Sequence, residues 1–207
     1  MRTLLFLDTE TARLDHVTDR IVHLSTRLVG STGAENYCRR VFPNDDTAIP
    51  VTAIAADRQT MSRAAVKASS IAQVLDDFAR QLEWSDLVIG HGVDRSLAAI
   101  VNEAKRCGRH DLVTNLTHPQ FGFDAGRRAP ICTQQLAVEY LTIIGEPVAH
   151  GTTELKAIYR RVFGQPIPCS DDPVAGVAAC HRLYKFLCDF QRKQDLQFTA
   201  DIICFED

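Results

Sequence analysis

Apolar positions along the chain change their period, and the change predicts strands first and helices afterwards. The apolar run Thr3–Leu7 leads directly into acids, which is typical of a buried strand whose polar end faces a cleft. Residues 20–30 alternate well enough for a second strand, Gly30–Gly33 has the composition of a hairpin turn, and 35–42 is predicted to pair back as a third strand. From Ile71 onward the apolar spacing becomes three and four, which indicates an amphipathic helix.

The rest of the chain alternates between short strands and helices. Thr152 or Thr153 is the expected cap of one helix, and 109–130 has no clear period and is predicted to be a loop or an insertion. A meander of three strands followed by strands alternating with helices predicts the α/β class, with a mixed five-stranded sheet flanked by helices. The later predicted elements are a strand at 86–92, helices at 96–108 and 153–164, a strand running into a helix at 131–141, and a last helix at 169–191.

The length and composition of the chain predict a single globular domain, 1–207. The chain has 207 residues, 45% of them hydrophobic and 24% charged, which is unlike a disordered or fibrous protein. No apolar run approaches the roughly 20 residues of a membrane span, and the first residues are predicted to form a strand rather than a signal peptide. Seven scattered cysteines without a Cys-x-x-Cys pair favour reduced thiols in the cytoplasm or another reducing intracellular compartment.

The formal net charge of −3 gives no global basic footprint. Contact with a nucleic acid would therefore have to use local basic groups, although such pairs are more often simply solvated. The candidate pairs are Arg39–Arg40, Lys105–Arg106, Arg127–Arg128 and Arg160–Arg161.

Two acids at the end of the first strand are the sharpest chemical signal. Because side chains alternate across a strand, Asp8 and Glu10 point to the same side, while Thr9 points to the other. Adjacent carboxylates repel each other unless a positive group lies between them, and a divalent metal with oxygen ligands, such as Mg²⁺ or Mn²⁺, is a natural partner. The alternative is that the strand end is solvated and both carboxylates are simply exposed to water.

The segment that contains these acids resembles the first motif of the DnaQ-like (DEDD) 3′→5′ exonucleases. That motif is typically Asp-x-Glu followed by Thr-Gly-Leu, and the match here is Asp8, Glu10, Thr11 and Leu14, with Arg13 in place of the glycine. The order and spacing of later segments extend the resemblance over about 3–187, leaving 188–207 as a C-terminal extension.

The resemblance implies an RNase H-like fold and hydrolysis of phosphodiesters at the 3′ end of single-stranded DNA or RNA. Asp8 and Glu10 would be the catalytic residues and would bind two Mg²⁺ or Mn²⁺ ions, which in such sites stabilise the attacking and leaving oxygens. Four residues are implied as nucleotide contacts: Thr9, Thr11, Leu14 and His91.

The second motif of that family, His-Asn-x-x-Phe-Asp, is incomplete. It falls on His91–Ser96, and Ser96 stands at the expected aspartate. Asp94 lies two residues too early, near the predicted start of a helix. We interpret Asp94 as a helix cap in preference to a metal ligand, and the ligand role stays open.

The third motif keeps its frame but lacks its functional side chains. Without gaps, Asp171 falls on the expected histidine and Gly176 on the expected aspartate, while Ala179 matches. Asp171 and Asp172 precede Pro173, which is typical of a helix start, although Asp171 is also a candidate metal ligand. A carboxylate is a poor general base near neutral pH, and the best spare candidate is His150.

Two functions follow from these departures. One is a 3′→5′ exonuclease whose activity is impaired by the lost residues; the other is an inactive pseudo-exonuclease that binds a nucleic acid or a protein partner. A third hypothesis, a scaffold without inherited function, would use an apolar surface such as the tail 196–207 to bind a protein. The fold is common to the first two and cannot choose between them.

Overall fold

A computed structural model describes residues 2–12, 20–42, 69–117, 129–149, 151–169 and 172–193. Within these ranges the strands are β1 (Leu4–Ala12), β2 (Arg20–Gly30), β3 (Gly33–Phe42), β4 (Ser69–Ser70), β5 (Leu87–Gly90) and β6 (Ile131–Cys132). The helices in the same ranges are α1 (Ile71–Trp84), α2 (Val93–Arg106), α3 (His110–Thr117), α4 (Thr133–Ile143), α5 (Leu155–Phe163) and α6 (Pro173–Lys193).

The strands form one mixed sheet in the order β4-β3-β2-β1-β5-β6. The first three pair antiparallel, as the sequence predicted, and Gly30 pairs with Gly33 across the expected turn. β5 pairs parallel with β1, and β6 pairs parallel with β5. The predicted α/β class is confirmed. The predicted count of five strands is corrected to six, since Ser69–Ser70 adds a short parallel strand beside the end of β3.

Helices cover both faces of the sheet because neighbouring residues of β1 point to opposite sides. Leu5 and Leu7 are buried with the apolar sides of α1 and α2 on one face. Phe6 is buried on the other face with residues of α4, α5 and α6. Every second residue of β1 after Phe6 therefore faces α6, and this alternation directs Asp8 and Glu10 to that side.

Helix α1 follows directly from the sequence pattern. The Ser70 hydroxyl accepts a hydrogen bond from the backbone N–H of Gln73 at 3.3 Å, which satisfies one of the unpaired donors of the first turn. The apolar stripe predicted at spacings of three and four is buried as expected, and consists of Ile71, Val74, Leu75, Phe78 and Leu82.

One boundary differs from the one the sequence predicted. The stretch 109–130 was expected to be irregular, yet it begins with α3, because Leu112 is buried and Val113 and Leu116 pack against the same core. Residues 188–193 belong to α6, where Cys188 is part of the core, and the division of the chain at 187 stays a prediction. Residues 194–207, with the apolar tail, lie outside the described residues.

The expected threonine caps of α5 are a third correction. Glu154 precedes the helix and makes no side-chain capping bond. The Thr152 hydroxyl instead bonds the backbone of Ala149, and the Thr153 carbonyl oxygen is bonded to His91. Both threonines are therefore used by the turn before the helix rather than by the helix itself.

No helix in the described ranges is long and apolar enough to span a membrane. The six cysteines that lie in these ranges are free thiols.

Candidate functional site

A pocket of about 250 Å³ opens at the end of β1, beside α6. Asp8 and Glu10 from β1 form its acidic side, and Lys156 from α5 contributes a cation. Gly176 and Cys180 line it from α6. The alternation of β1 and the crossing of α6 over that face thus bring the first motif and the third-motif frame to one cavity.

Asp8 is held in an environment that disfavours its charge. Burial and, to a smaller extent, the charge of Glu10 raise the pKa of Asp8 from 3.8 to about 6, against the opposing effect of a backbone hydrogen bond at Thr9. Both effects favour the protonated form. A carboxyl group with this pKa in a cavity is a frequent mark of a functional site.

Glu10 is in the opposite situation, because the chain supplies it with positive partners. His23 faces Glu10 across β1 and β2, and its Nδ1 lies 2.9 Å from Glu10 Oε2. This hydrogen bond is the main reason that the pKa of Glu10 is lowered, and the charges of Arg40 and Lys156 lower it further. Arg40 lies opposite His23 on β3, so acid, histidine and arginine form a row across three strands.

His91 lines the pocket but both of its ring nitrogens have protein partners. Nε2 donates to the carbonyl oxygen of Thr153 at 2.6 Å, and Nδ1 lies 3.0 Å from the hydroxyl of Thr133. Burial lowers the pKa of His91, which favours the neutral ring. In this structure His91 ties the end of β5 to α4 and to the turn before α5; its predicted contact with a nucleotide stays a prediction.

The first turns of α6 show what replaces the third motif. Asp172 Oδ1 accepts a hydrogen bond from the backbone N–H of Val174 at 3.0 Å, so Asp172 caps the helix that Pro173 begins. One turn later, a Cβ added to Gly176 would lie 3.0 Å from Asp8 Oδ2. The position that the family pattern assigns to an aspartate therefore faces Asp8, and it carries no side chain.

The acid next to the second motif does not reach the pocket. Asp94 lies in the first turn of α2 and outside the pocket lining. The predicted cap is wrong: Gly92 occupies the N-cap with φ of 74°, a left-handed conformation that favours glycine. Asp94 instead places its charge near the helix amino terminus, where it is favourable. Ser96 is buried on α2 and is also absent from the lining.

The remaining predicted positions divide into two groups. Thr9 and Thr11 are described but are not part of the pocket lining, in agreement with their place on the other side of β1. Leu14, His150 and Asp171 lie outside the described residues. The roles implied for all five stay predictions.

The residues present do not fit a pair of divalent ions. In the described ranges, no group of three or more histidines, cysteines and acids could hold a metal. Of the acids in the pocket, Glu10 is hydrogen-bonded to His23 and Asp172 to the helix backbone. Asp8 also accepts a backbone hydrogen bond at Thr9, so the pocket offers far fewer free carboxylate oxygens than Mg²⁺ or Mn²⁺ requires.

Three residues of the site were missed by the sequence analysis. His23 could have been found only from the register between β1 and β2, which the sequence does not fix. Lys156 was part of a predicted helix without a functional signal. Cys180 lies one helical turn beyond Gly176 and could have been placed at the pocket from the period of α6.

Comparison with known proteins gives the fold. No family model matches the sequence, and no curated protein matches it. Solved structures of exonuclease I do match. E. coli exonuclease I in complex with a dT13 oligonucleotide has a TM-score of 0.68 and 16% identity, covering 94% of this chain and 43% of that chain.

Two further structures of the same enzyme agree. The zinc-bound E. coli ExoI–ssDNA complex has a TM-score of 0.68 and 17% identity, covering 93% of this chain and 42% of that chain. The ExoI/SSB-Ct complex has a TM-score of 0.67 and 16% identity, covering 94% and 42%. The chain thus shares the α/β fold of these exonuclease structures. It spans less than half of their own length.

Proposed function

We propose that the chain is a DnaQ-like 3′→5′ exonuclease domain that binds the 3′ end of a single-stranded nucleic acid in the pocket at Asp8 and Glu10, and whose hydrolysis is impaired. Loss of a general base alone costs on the order of 10²–10⁴ in rate. The expected histidine position is occupied by Asp171, and the expected aspartate by Gly176.

One observation carries the proposal. Asp8 and Gly176 line the same pocket, and a Cβ added at Gly176 would lie 3.0 Å from Asp8 Oδ2, so the segments aligned separately to the first and third motifs meet in space. A chance match of one short motif would not predict this meeting. The exonuclease I structures add support because one is bound to a dT13 oligonucleotide and another to single-stranded DNA.

The chain's own residues account for the impairment. Gly176 supplies no carboxylate beside Asp8, and His23 occupies an oxygen of Glu10. His91, neutral and hydrogen-bonded on both nitrogens, orients the pocket wall and is not poised to take a proton from water. Binding of a 3′ end requires neither a full set of carboxylates nor a general base, so it is compatible with all three features.

Binding that depends on a 3′ end is the first expected result. In EDTA, a linear 40-nucleotide single strand should bind at least tenfold more tightly than the same sequence closed into a circle, because only the linear strand can enter the pocket with an end. Fluorescence anisotropy competition between the two measures this difference directly.

A matched control separates end binding from general affinity. The double variant Asp8→Lys/Glu10→Lys should change the ratio of the affinities for the linear and the circular strand. Asp94→Lys, which lies outside the pocket, should leave that ratio as it is in the wild type. Equal affinity of the wild type for linear and circular strands would overturn the proposal.

A second candidate, an inactive module that binds a nucleic acid or a protein, is favoured by the His23–Glu10 contact. An acid neutralised by its own chain has less need of a metal than a catalytic carboxylate has. One exonuclease I structure is a complex with SSB-Ct, which makes a protein partner a reasonable class to test for this candidate.

A further inference from the structure

Cations gather on the same sheet face as the pocket. Because residues directly opposite in an antiparallel pair share a face, Arg40 lies beside His23, and Arg27 lies beside Asn36 on that face. Arg27 also pairs with Phe6 of β1, the residue that packs under α6. The two arginines therefore lie on the face of the sheet that α6 covers.

Within the described part of the chain, the hydrogen bonds of the Arg27 guanidinium go to neutral side chains. Its Nη1 donates to Asn36 Oδ1 at 2.7 Å, and its Nε donates to His181 Nδ1 at 3.2 Å. Burial, together with the charges of Arg27 and Lys185, lowers the pKa of His181 to about 4, so the ring is a neutral acceptor at physiological pH. Both partners orient the guanidinium, and neither carries a negative charge.

Lys185 lies on the same side of α6 as His181. It lies four residues after His181, one helical turn along the same side, and its side chain is exposed. The next turn carries Asp189, which pairs with Arg192 at 3.4 Å. We call Arg40, Arg27 and Lys185 the basic strip: Arg40 lies next to the His23–Glu10 pair and stabilises its acid, and the charges of Arg27 and Lys185 both act on His181 farther along α6.

In a chain with a net charge of −3, a row of three cations on one face is a local field that attracts a polyanion. The spacing suits an extended chain, since His23 and Arg27 are four residues apart on β2, about 13 Å.

We propose that the basic strip of Arg27, Arg40 and Lys185 binds the phosphate backbone of the single strand whose 3′ end enters the pocket. The inference rests on the proposed function and adds the direction in which the strand leaves the site. Neutral His181 and Asn36 position Arg27 for this contact, and the exposed Lys185 reaches the phosphates farthest from the pocket.

The test is a pair of charge reversals on opposite faces. Lys185→Glu changes the strip, and Lys105→Glu makes the same change on the exposed side of α2. The probes are 5′-fluorescein dT12 and the dinucleotide dT2, measured by anisotropy in EDTA at several salt concentrations. Thermal melts show whether each variant is folded, and both positions are exposed.

Lys185→Glu should bind dT12 roughly fivefold more weakly at low salt and reduce the slope of log K against log salt by at least about 0.7, the value for one phosphate on a single strand. The affinity for dT2, which is too short to reach Lys185, should not change. Lys105→Glu should behave as the wild type. Equal effects of the two reversals on dT12 would overturn the strip.

The outcomes separate the strip from the proposed function. If Lys185→Glu fails to weaken dT12 while linear strands still outcompete circles, the end site stands and the strip is wrong. If Lys185→Glu weakens dT12 and circles bind as well as linear strands, the strip binds backbone and the end site is wrong.

Discussion

Asp8→Asn is expected to raise the free energy of unfolding by about 2 to 3 kcal/mol at pH 8 in EDTA. The pKa of Asp8 is raised from 3.8 to about 6 in the folded chain, and each unit corresponds to about 1.4 kcal/mol. A raised pKa means that the stability linked to this group is fully present below the unfolded value and is lost as the pH rises through 6. Asparagine has no charge to bury, so the variant escapes that loss.

The pH dependence distinguishes this cause from a general packing effect. Urea unfolding at pH 4 and pH 8 should show the gain at pH 8 and little difference at pH 4, where Asp8 is largely protonated in the folded state. Asp94→Asn, at an exposed position on α2, is the matched control and should show no such gain. A variant that is equally stable relative to wild type at both values would contradict the account of Asp8.

Gly176→Asp is expected to destabilise the protein by about 2 kcal/mol at pH 8 in EDTA and to create a response to Mn²⁺. The new Cβ would lie 3.0 Å from Asp8 Oδ2, and the added carboxylate would place a like charge beside an already buried acid. Replacing a glycine inside a helix returns about 0.5–1 kcal/mol, so the net loss is smaller than the contact alone would give.

The response to Mn²⁺ is the sharper half of this prediction. With the introduced carboxylate, three acids from β1 and α6 converge, and millimolar Mn²⁺ should raise the melting temperature by several degrees, since an ion at 100 times its Kd stabilises a fold by about 2.7 kcal/mol. The wild type and Gly176→Ala, which has the same backbone change without the charge, should shift by less than about one degree by the same relation. An equal shift in all three proteins would show that position 176 does not complete a metal site.

The β2–β3 register follows from the short hairpin turn that the sequence predicted. Once Gly30 and Gly33 flank a two-residue turn, His23 must lie opposite Arg40. The register of β1 against β2 could not be predicted from the sequence. The connection between them carries no turn signal, and the ladder shifts between Glu10 and Thr11. The contact of Glu10 with His23 depends on that register, so it was missed.

The candidate site shows the same division between local and tertiary information. The gapless alignment put Gly176 at the aspartate position of the third motif, and the structure places Gly176 in the same pocket as Asp8, because a helix fixes which residues share a side. Caps were predicted less well. Asp94 and the threonines before α5 have suitable side chains, but Gly92 takes the N-cap of α2, and Thr152 bonds Ala149. Each wrong cap prediction reflects a competing arrangement of the backbone or side chain that the sequence does not reveal.

Degradation of a 3′-labelled single strand in Mn²⁺ is the decisive test of an exonuclease-type end site with impaired chemistry. The wild type, the double variant Asp8→Ala/Glu10→Ala and purified exonuclease I are compared at equal concentration. We predict slow laddering by the wild type, at least about 10²-fold slower than exonuclease I, and no laddering by the double variant. Cleavage as fast as that of exonuclease I would contradict the impairment, and equal trace cleavage by the wild type and the double variant would contradict catalysis at Asp8 and Glu10.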